Sequence, residues 1–90
     1  MAEDVKKITE EIIAELSKIE DPEELTVQGL AILTGIFSES MESISSLFKS
    51  TEDQGVELNI TERLAQRIVE ETLTASEDIA ASLNKQLEYA

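Results

Sequence analysis

One row of side chains, spaced by three and four residues between positions 26 and 48, constrains the fold of this chain most strongly. This spacing places the row on one face of an α-helix, and its persistence over about three heptads is typical of a seam along which helices supercoil. We call this row the stripe; it consists of Thr26, Leu30, Leu33, Phe37, Met41, Ile44 and Phe48. The chain is therefore predicted to be all-α and to bury the stripe against other helices.

The first half of the same helix carries a second apolar patch, formed by Leu25, Ile32 and Ile36. Beyond residue 38 this second side becomes polar, with serines and glutamates at the corresponding positions. The N-terminal half of the helix is therefore predicted to be buried on two sides, with a short first helix over the second patch. The distal part of the stripe is left with little to cover it, which favours an interface there.

Capping signals divide the chain into three predicted helices. Asp21 suits the N-cap of the second helix, and Pro22 suits its first position, where a missing N–H costs nothing. The turn-forming residues 53–55 indicate a loop, and Asn59 or Thr61 is the predicted cap of the third helix. The predicted helices span residues 3–20, 22–49 and 61–88, with a loop at 50–60, in one domain of residues 1–90. The predicted architecture is a short N-terminal helix plus a long antiparallel helical hairpin.

Two glycines, Gly29 and Gly35, lie inside the second predicted helix, where each costs roughly 0.8–1 kcal/mol relative to alanine. Close approach of a neighbouring helix is the expected compensation, and a kink is the alternative. A set of small side chains in the middle of the third helix favours such an approach. The set consists of Thr72, Ala75, Ser76 and Ala80. Whether the third helix is continuous there is left open, because Thr74 and Glu77 have the spacing of a capping box.

The short chain needs something to supplement its core, because 90 residues bury only about 60–65% of their unfolded surface. Cysteine and histidine are both absent, which removes disulfides and the usual zinc ligands. Association with a second copy remains, and the prediction is a two-fold homodimer that completes a helical bundle. A compact monomer with a bent second helix is the alternative. The candidate self-association seam consists of Leu33, Phe37, Met41, Ile44, Leu47 and Phe48.

The charge is strongly acidic, with twenty acidic residues against seven basic ones and a net charge of −13. This sign disfavours direct binding to nucleic-acid phosphates or to an anionic membrane surface. The mostly apolar run at residues 29–37 is also too short for a membrane span, which needs about 20 residues. A basic protein is the charge-complementary partner, and improved solubility is the alternative explanation. The candidate acidic partner-binding face consists of Glu70, Glu71, Glu77 and Asp78.

No pattern of residues indicates catalysis, so the chain is predicted not to be an enzyme. Without histidine, no serine can belong to a Ser-His-Asp triad. The acidic segment at residues 52–59 lacks the ligand spacing of a calcium loop. No catalytic, cofactor-binding or metal-binding residue is assigned, and no cofactor is expected. The acid-rich start has no apolar signal segment, so a cytoplasmic location is expected.

Two classes of function fit these features. The first is a small acidic interaction module, an adaptor, regulator or inhibitor, that binds a basic-surfaced protein such as a nucleic-acid-binding protein. A sharper version of it, mimicry of nucleic acid, requires the acidic residues to be concentrated on one surface, whereas they occur on all three predicted helices. The alternative is a self-assembling scaffold or docking domain that oligomerises through the heptad-spaced seam.

Overall fold

The computed structural model describes residues 2–89 of the chain, and its side chains from residue 4 onward. Over residues 2–89 the backbone forms three α-helices and no strand. The helices are α1 at Ala2–Leu16, α2 at Pro22–Gln54 and α3 at Leu58–Glu88. The prediction of an all-α chain is therefore confirmed, whereas the bounds of each helix differ from the predicted ones.

The first helix is shorter than predicted, because it ends at Leu16 instead of residue 20. Beyond it the chain tightens into a turn, in which the Ile19 N–H donates to the Leu16 carbonyl at 3.1 Å. Ile19 continues the apolar spacing but reaches the core from the linker. The Nε2 atom of Gln86 on α3 also donates to the Leu16 carbonyl, at 3.2 Å. Because a helix cannot pair its own last carbonyls, this bond ties the end of α1 to α3.

The second helix begins where the sequence predicts and ends later. Asp21 is its N-cap, and the Asp21 carboxylate accepts a hydrogen bond from the Glu24 N–H at 2.9 Å. The predicted loop at residues 50–60 is mostly helical, since α2 continues to Gln54 and stops at Gly55 with φ of 68°. Glycine adopts this left-handed conformation without steric cost, so Gly55 alone ends the helix.

The third helix begins at Leu58, three residues before the predicted start, and runs without a break to Glu88. Its N-cap is Glu57, whose side chain makes no capping hydrogen bond. The prediction of Asn59 or Thr61 as the cap is therefore wrong. Thr61 instead lies inside the helix, where it is 2% exposed and its hydroxyl bonds with that of Thr51 on α2.

Contacts between α2 and α3 run in opposite directions along the two helices. Gly29 lies against Leu83, and hydroxyl groups pair between Ser40 and Thr72. A Cβ atom at Gly29 would lie 2.5 Å from the Leu83 Cδ1 atom, so this glycine allows the close approach that the sequence predicts. Gly35 has no neighbour within 4 Å of that position, so the same interpretation is wrong for Gly35.

The apolar core lies at the end of the molecule that α1 covers. It is formed by four buried side chains: Leu16, Leu25, Ile79 and Leu83. Ile32 and Ile36 of the second apolar patch pack against this core, as half-buried residues. However, α1 packs more extensively on α3 than on α2, whereas the sequence indicated α2 as its main support. The distal half of the α2–α3 pair therefore has no large apolar core of its own.

Candidate protein-binding face

Hydroxyl groups, not large apolar side chains, join α2 and α3 in the distal half of the molecule. The hydroxyls of Ser40 and Thr72 lie 2.6 Å apart, and those of Thr51 and Thr61 also form a hydrogen bond. Three of these hydroxyls also lie within hydrogen-bond distance of a carbonyl four residues earlier in their own helix. Because a hydroxyl has one proton, one of Ser40 and Thr72 donates to the other, which donates to its own helix. Because small polar residues occupy the contact line, the large apolar residues of both helices lie on its flanks.

One flank of the α2–α3 pair is partly covered by α1. A groove of about 280 Å³ on this flank is lined by residues from all three helices, including Ile12, Ile36 and Thr72. The opposite flank carries a smaller groove that no α1 residue lines; it is formed by Thr26, Leu30, Leu33, Ala80, Leu83, Asn84 and Leu87. Even at the end of the molecule that α1 covers, this side of the α2–α3 pair is therefore lined by α2 and α3 alone.

We call this uncovered side the open face. Helical spacing of three and four residues extends the row that begins at Leu30 and Leu33 along α2, and the row that includes Ala80 and Leu87 along α3. The open face consists of Leu30, Leu33, Phe37, Met41, Ile44 and Phe48 on α2, and of Leu58, Val69, Leu73, Ala80 and Leu87 on α3.

Large apolar side chains on the open face are exposed to solvent. Seven of these side chains are at least 41% exposed, with the largest values of 70% for Met41 and 59% for Leu30. The other five are Phe37, Phe48, Leu58, Val69 and Leu73. Single exposed apolar residues are ordinary, but a continuous row along two helices is typical of an interface.

The predicted self-association seam lies mostly, but not entirely, on the open face. Leu33, Phe37, Met41, Ile44 and Phe48 belong to it. Leu47 does not, because it lines a groove on the α1 flank with Ser43, Ser46, Ser50 and Ile68, among others.

The self-association seam predicted from the sequence consists of α2 residues only, so it lacks the α3 half of the open face. Val69, Leu73 and Ala80 supply that half, together with Leu58 at the start of the helix. A signal was present in the spacing of residues 69, 73, 76 and 80, which recur at intervals of four and three. The two small residues in that row, Ser76 and Ala80, weakened the apolar signal.

The predicted acidic face is divided by the structure. Glu70, Glu71 and Asp78 line one groove with Lys6 of α1, and Glu71 is also paired with Arg67 at 3.5 Å. Glu77 does not line that groove, and helical spacing places it on the other flank, beside Leu73 and Ala80. The four carboxylates therefore do not form a single acidic surface.

The two edges of the open face differ in charge. On the α3 edge helical spacing places the exposed carboxylates of Glu62 and Glu77. On the α2 edge it places the exposed hydroxyl of Thr34. Between them the surface is apolar, so the open face has an uncharged centre, one acidic edge and one hydroxyl edge.

The shape of the whole chain agrees with an incomplete core. Its radius of gyration is 15.9 Å, whereas a compact domain of this length has one of about 12 Å. Its accessible surface is 6675 Å², whereas about 5,200 Å² is expected for a folded monomer of this mass. The excess reflects two long helices that are covered by a third over only part of one flank.

Other kinds of site find little support in the part of the chain that the structure describes. Within it, no group of three or more acidic residues is placed to hold a metal ion. None of the helices in the same range combines the length and the apolar character needed to cross a membrane. Comparison with protein-family models, curated proteins and solved structures gives no match for this chain. Function must therefore be inferred from the chain's own surface.

Proposed function

We propose that this chain is a small helical protein–protein interaction module, acting as an adaptor, regulator or inhibitor, that binds its partner through the open face. The observation that carries the proposal is the continuous apolar row on α2 and α3, with seven large side chains 41–70% exposed. Stable interfaces combine an apolar centre with a polar rim, and the open face has this composition. Burial of the row on binding supplies the free energy of association.

A basic-surfaced partner, such as a nucleic-acid-binding protein, is the class that the charge favours. The net charge of −13 accelerates the encounter with a positively charged protein, and this effect weakens as salt is added. Glu62 and Glu77 on the rim of the open face suit lysine or arginine side chains placed around an apolar centre on the partner. Self-assembly into a scaffold or docking domain is the second candidate, because the open face is apolar along the length of both long helices.

The experiment that tests the proposal is site-specific photo-crosslinking in cells of the source organism. A photoreactive phenylalanine analogue replaces Phe37 on the open face in one variant and Ala31, an exposed residue on the outer side of α2, in the control. We expect covalent adducts with a protein from position 37 and few or none from position 31. In a lysate of the same cells, a yield of adduct with a basic protein that falls between about 50 and 500 mM salt supports the electrostatic part of the proposal.

Two results would contradict this function. Equal labelling from positions 31 and 37 would mean that the open face makes no specific contact. An absence of any protein adduct at position 37, with the variant folded by circular dichroism, would mean that the face remains in water. Mass spectrometry of the adduct distinguishes a second copy of this chain from a different protein.

A further inference from the structure

We infer that a second copy of this chain closes the open face in a side-by-side dimer, in which α2 of each copy lies over α3 of the other. In this arrangement the two-fold axis runs along the helices. The inference rests on the second candidate function, self-assembly through the open face, and adds its geometry; a second copy and a basic partner would compete for this face. Two observations support it: the area of the face and the charges on its edges.

The area is sufficient for a stable dimer. The molecule measures 52 Å along its length and 22 or 16 Å across. A face with that outline offers about 800–1,100 Å², and stable interfaces bury roughly 800 Å² per partner. Burying it would also remove most of the surface that this chain exposes beyond the value expected for a compact monomer.

The alternative to this arrangement is an end-over-end dimer, with α2 on α2 and α3 on α3. Both halves of the open face carry large exposed side chains, such as Phe37 and Met41 on α2 and Leu58 and Leu73 on α3. The charges on the edges of the face distinguish the two arrangements.

The register within one chain shows which residues would meet. In contacting pairs of α2 and α3, such as 29 with 83 and 40 with 72, the residue numbers add to 112. A two-fold axis along the helices preserves these levels between copies. Phe37 of one copy then lies level with residue 75 of the other, two residues from Leu73, and Thr34 lies level with residue 78, beside Glu77. A large apolar side chain of one copy thus meets a large apolar side chain of the other, and a hydroxyl group meets a carboxylate.

The charges on the edges favour the same arrangement. Side-by-side packing brings the acidic α3 edge, with Glu62 and Glu77, next to the hydroxyl edge of the second α2. Thr34 can donate a hydrogen bond to the carboxylate of Glu77 there. End-over-end packing would instead bring the two acidic edges together, and like charges at short range repel.

The first test is the mass of the unmodified protein by light scattering at about 50 and about 500 mM salt. We expect twice the chain mass of 9.9 kDa at both salt concentrations. A monomer at both would overturn the inference. In that case adducts from position 37 with a different protein would leave the proposed function intact, whereas an absence of all adducts would overturn both.

The second test determines the arrangement by crosslinking single cysteines, since the natural chain has none. In the side-by-side dimer the two α2 helices are diagonal neighbours, roughly 11–14 Å apart for helix spacings of 8–10 Å. Leu30→Cys and Phe48→Cys each lie level with their own counterpart and on the sides of the helices that face each other. A short bismaleimide should therefore form covalent dimers of each variant alone. Lys49→Cys, on the outer side of α2, is the matched control and should form few.

The end-over-end dimer gives the opposite crosslinking pattern. Positions 30 and 48 are separated by about 27 Å along α2, at 1.5 Å per residue. Neither variant would then crosslink to itself, but a mixture of the two would form a covalent dimer between positions 30 and 48. That result, in samples whose mass shows a dimer, would overturn the side-by-side arrangement.

Discussion

At the scale of single residues, two glycines in one helix have opposite surroundings. Gly29 lies under Leu83, whereas Gly35 has open space where a side chain would be. Both carry the same intrinsic cost in a helix interior, so their difference isolates the effect of packing. The sequence treats these positions alike, and only the neighbouring helix separates them.

We expect Gly35→Ala to raise the free energy of unfolding by about 0.8–1 kcal/mol, the difference in helix propensity between the two residues. Gly29→Ala should show no such gain, because overpacking costs about 1–3 kcal/mol and offsets it. Urea denaturation of both variants and the natural chain measures these changes. An equal gain at both positions would mean that α2 and α3 do not approach each other closely at Gly29.

The N-cap of α2 gives a second test at this scale. Asp21→Ala removes the carboxylate that accepts the Glu24 N–H, and we expect a loss of about 1 kcal/mol in stability. Asp21→Asn is the matched control, because asparagine caps helices about as well as aspartate. The same denaturation experiment compares them. If both variants lose stability equally, the charge near the helix N-terminus matters more than the hydrogen bond.

At the scale of helices, the hydroxyl pairs explain why α2 and α3 approach closely without a large apolar core between them. One of the hydroxyls of Ser40 and Thr72 donates a hydrogen bond to the other, which in turn donates to the carbonyl four residues earlier in its own helix. Because small residues occupy the contact line, Phe37, Met41 and Leu73 lie on the flank, where they are exposed. The polar contact line and the open face are thus two results of one arrangement.

A double-mutant cycle tests the contact between these helices. We expect Ser40→Ala and Thr72→Val each to cost about 0.5–1.5 kcal/mol, as for loss of one hydrogen bond. The double variant should cost less than the two single costs together, because both remove the same 2.6 Å contact. Ser38→Ala, an exposed serine of the same helix, is the control. Additive costs would mean that the two hydroxyls do not interact.

At the scale of the whole molecule, the chain resembles part of a larger helical assembly. It buries four large apolar residues as a core and exposes seven on the open face. A dimer would supply the second layer that helices need to bury an apolar face. Its stability would then depend on protein concentration, because association stabilises only the folded form.

We therefore expect the midpoint of thermal unfolding to rise with protein concentration for the natural chain. Leu73→Glu places a charge on the open face and should abolish this dependence while lowering the mass to that of a monomer. Ile8→Glu is the matched control, because Ile8 is 55% exposed on α1, away from the open face. Calorimetry at several concentrations measures the effect. A midpoint independent of concentration in the natural chain would contradict the dimer.

The helical class, the Asp21 cap and the stripe from Leu30 to Phe48 were determined by the sequence alone. These features depend on residues three or four positions apart, and the hydrogen bonds of a helix make such neighbours meet whatever the rest of the chain does. The assignment of Leu47 to the α1 flank was not predictable in this way. It depends on a residue far along the chain, Ile68 of α3, which lines the same groove. Which side of the α2–α3 pair stays open was likewise decided by the tertiary structure, because α1 can cover only one.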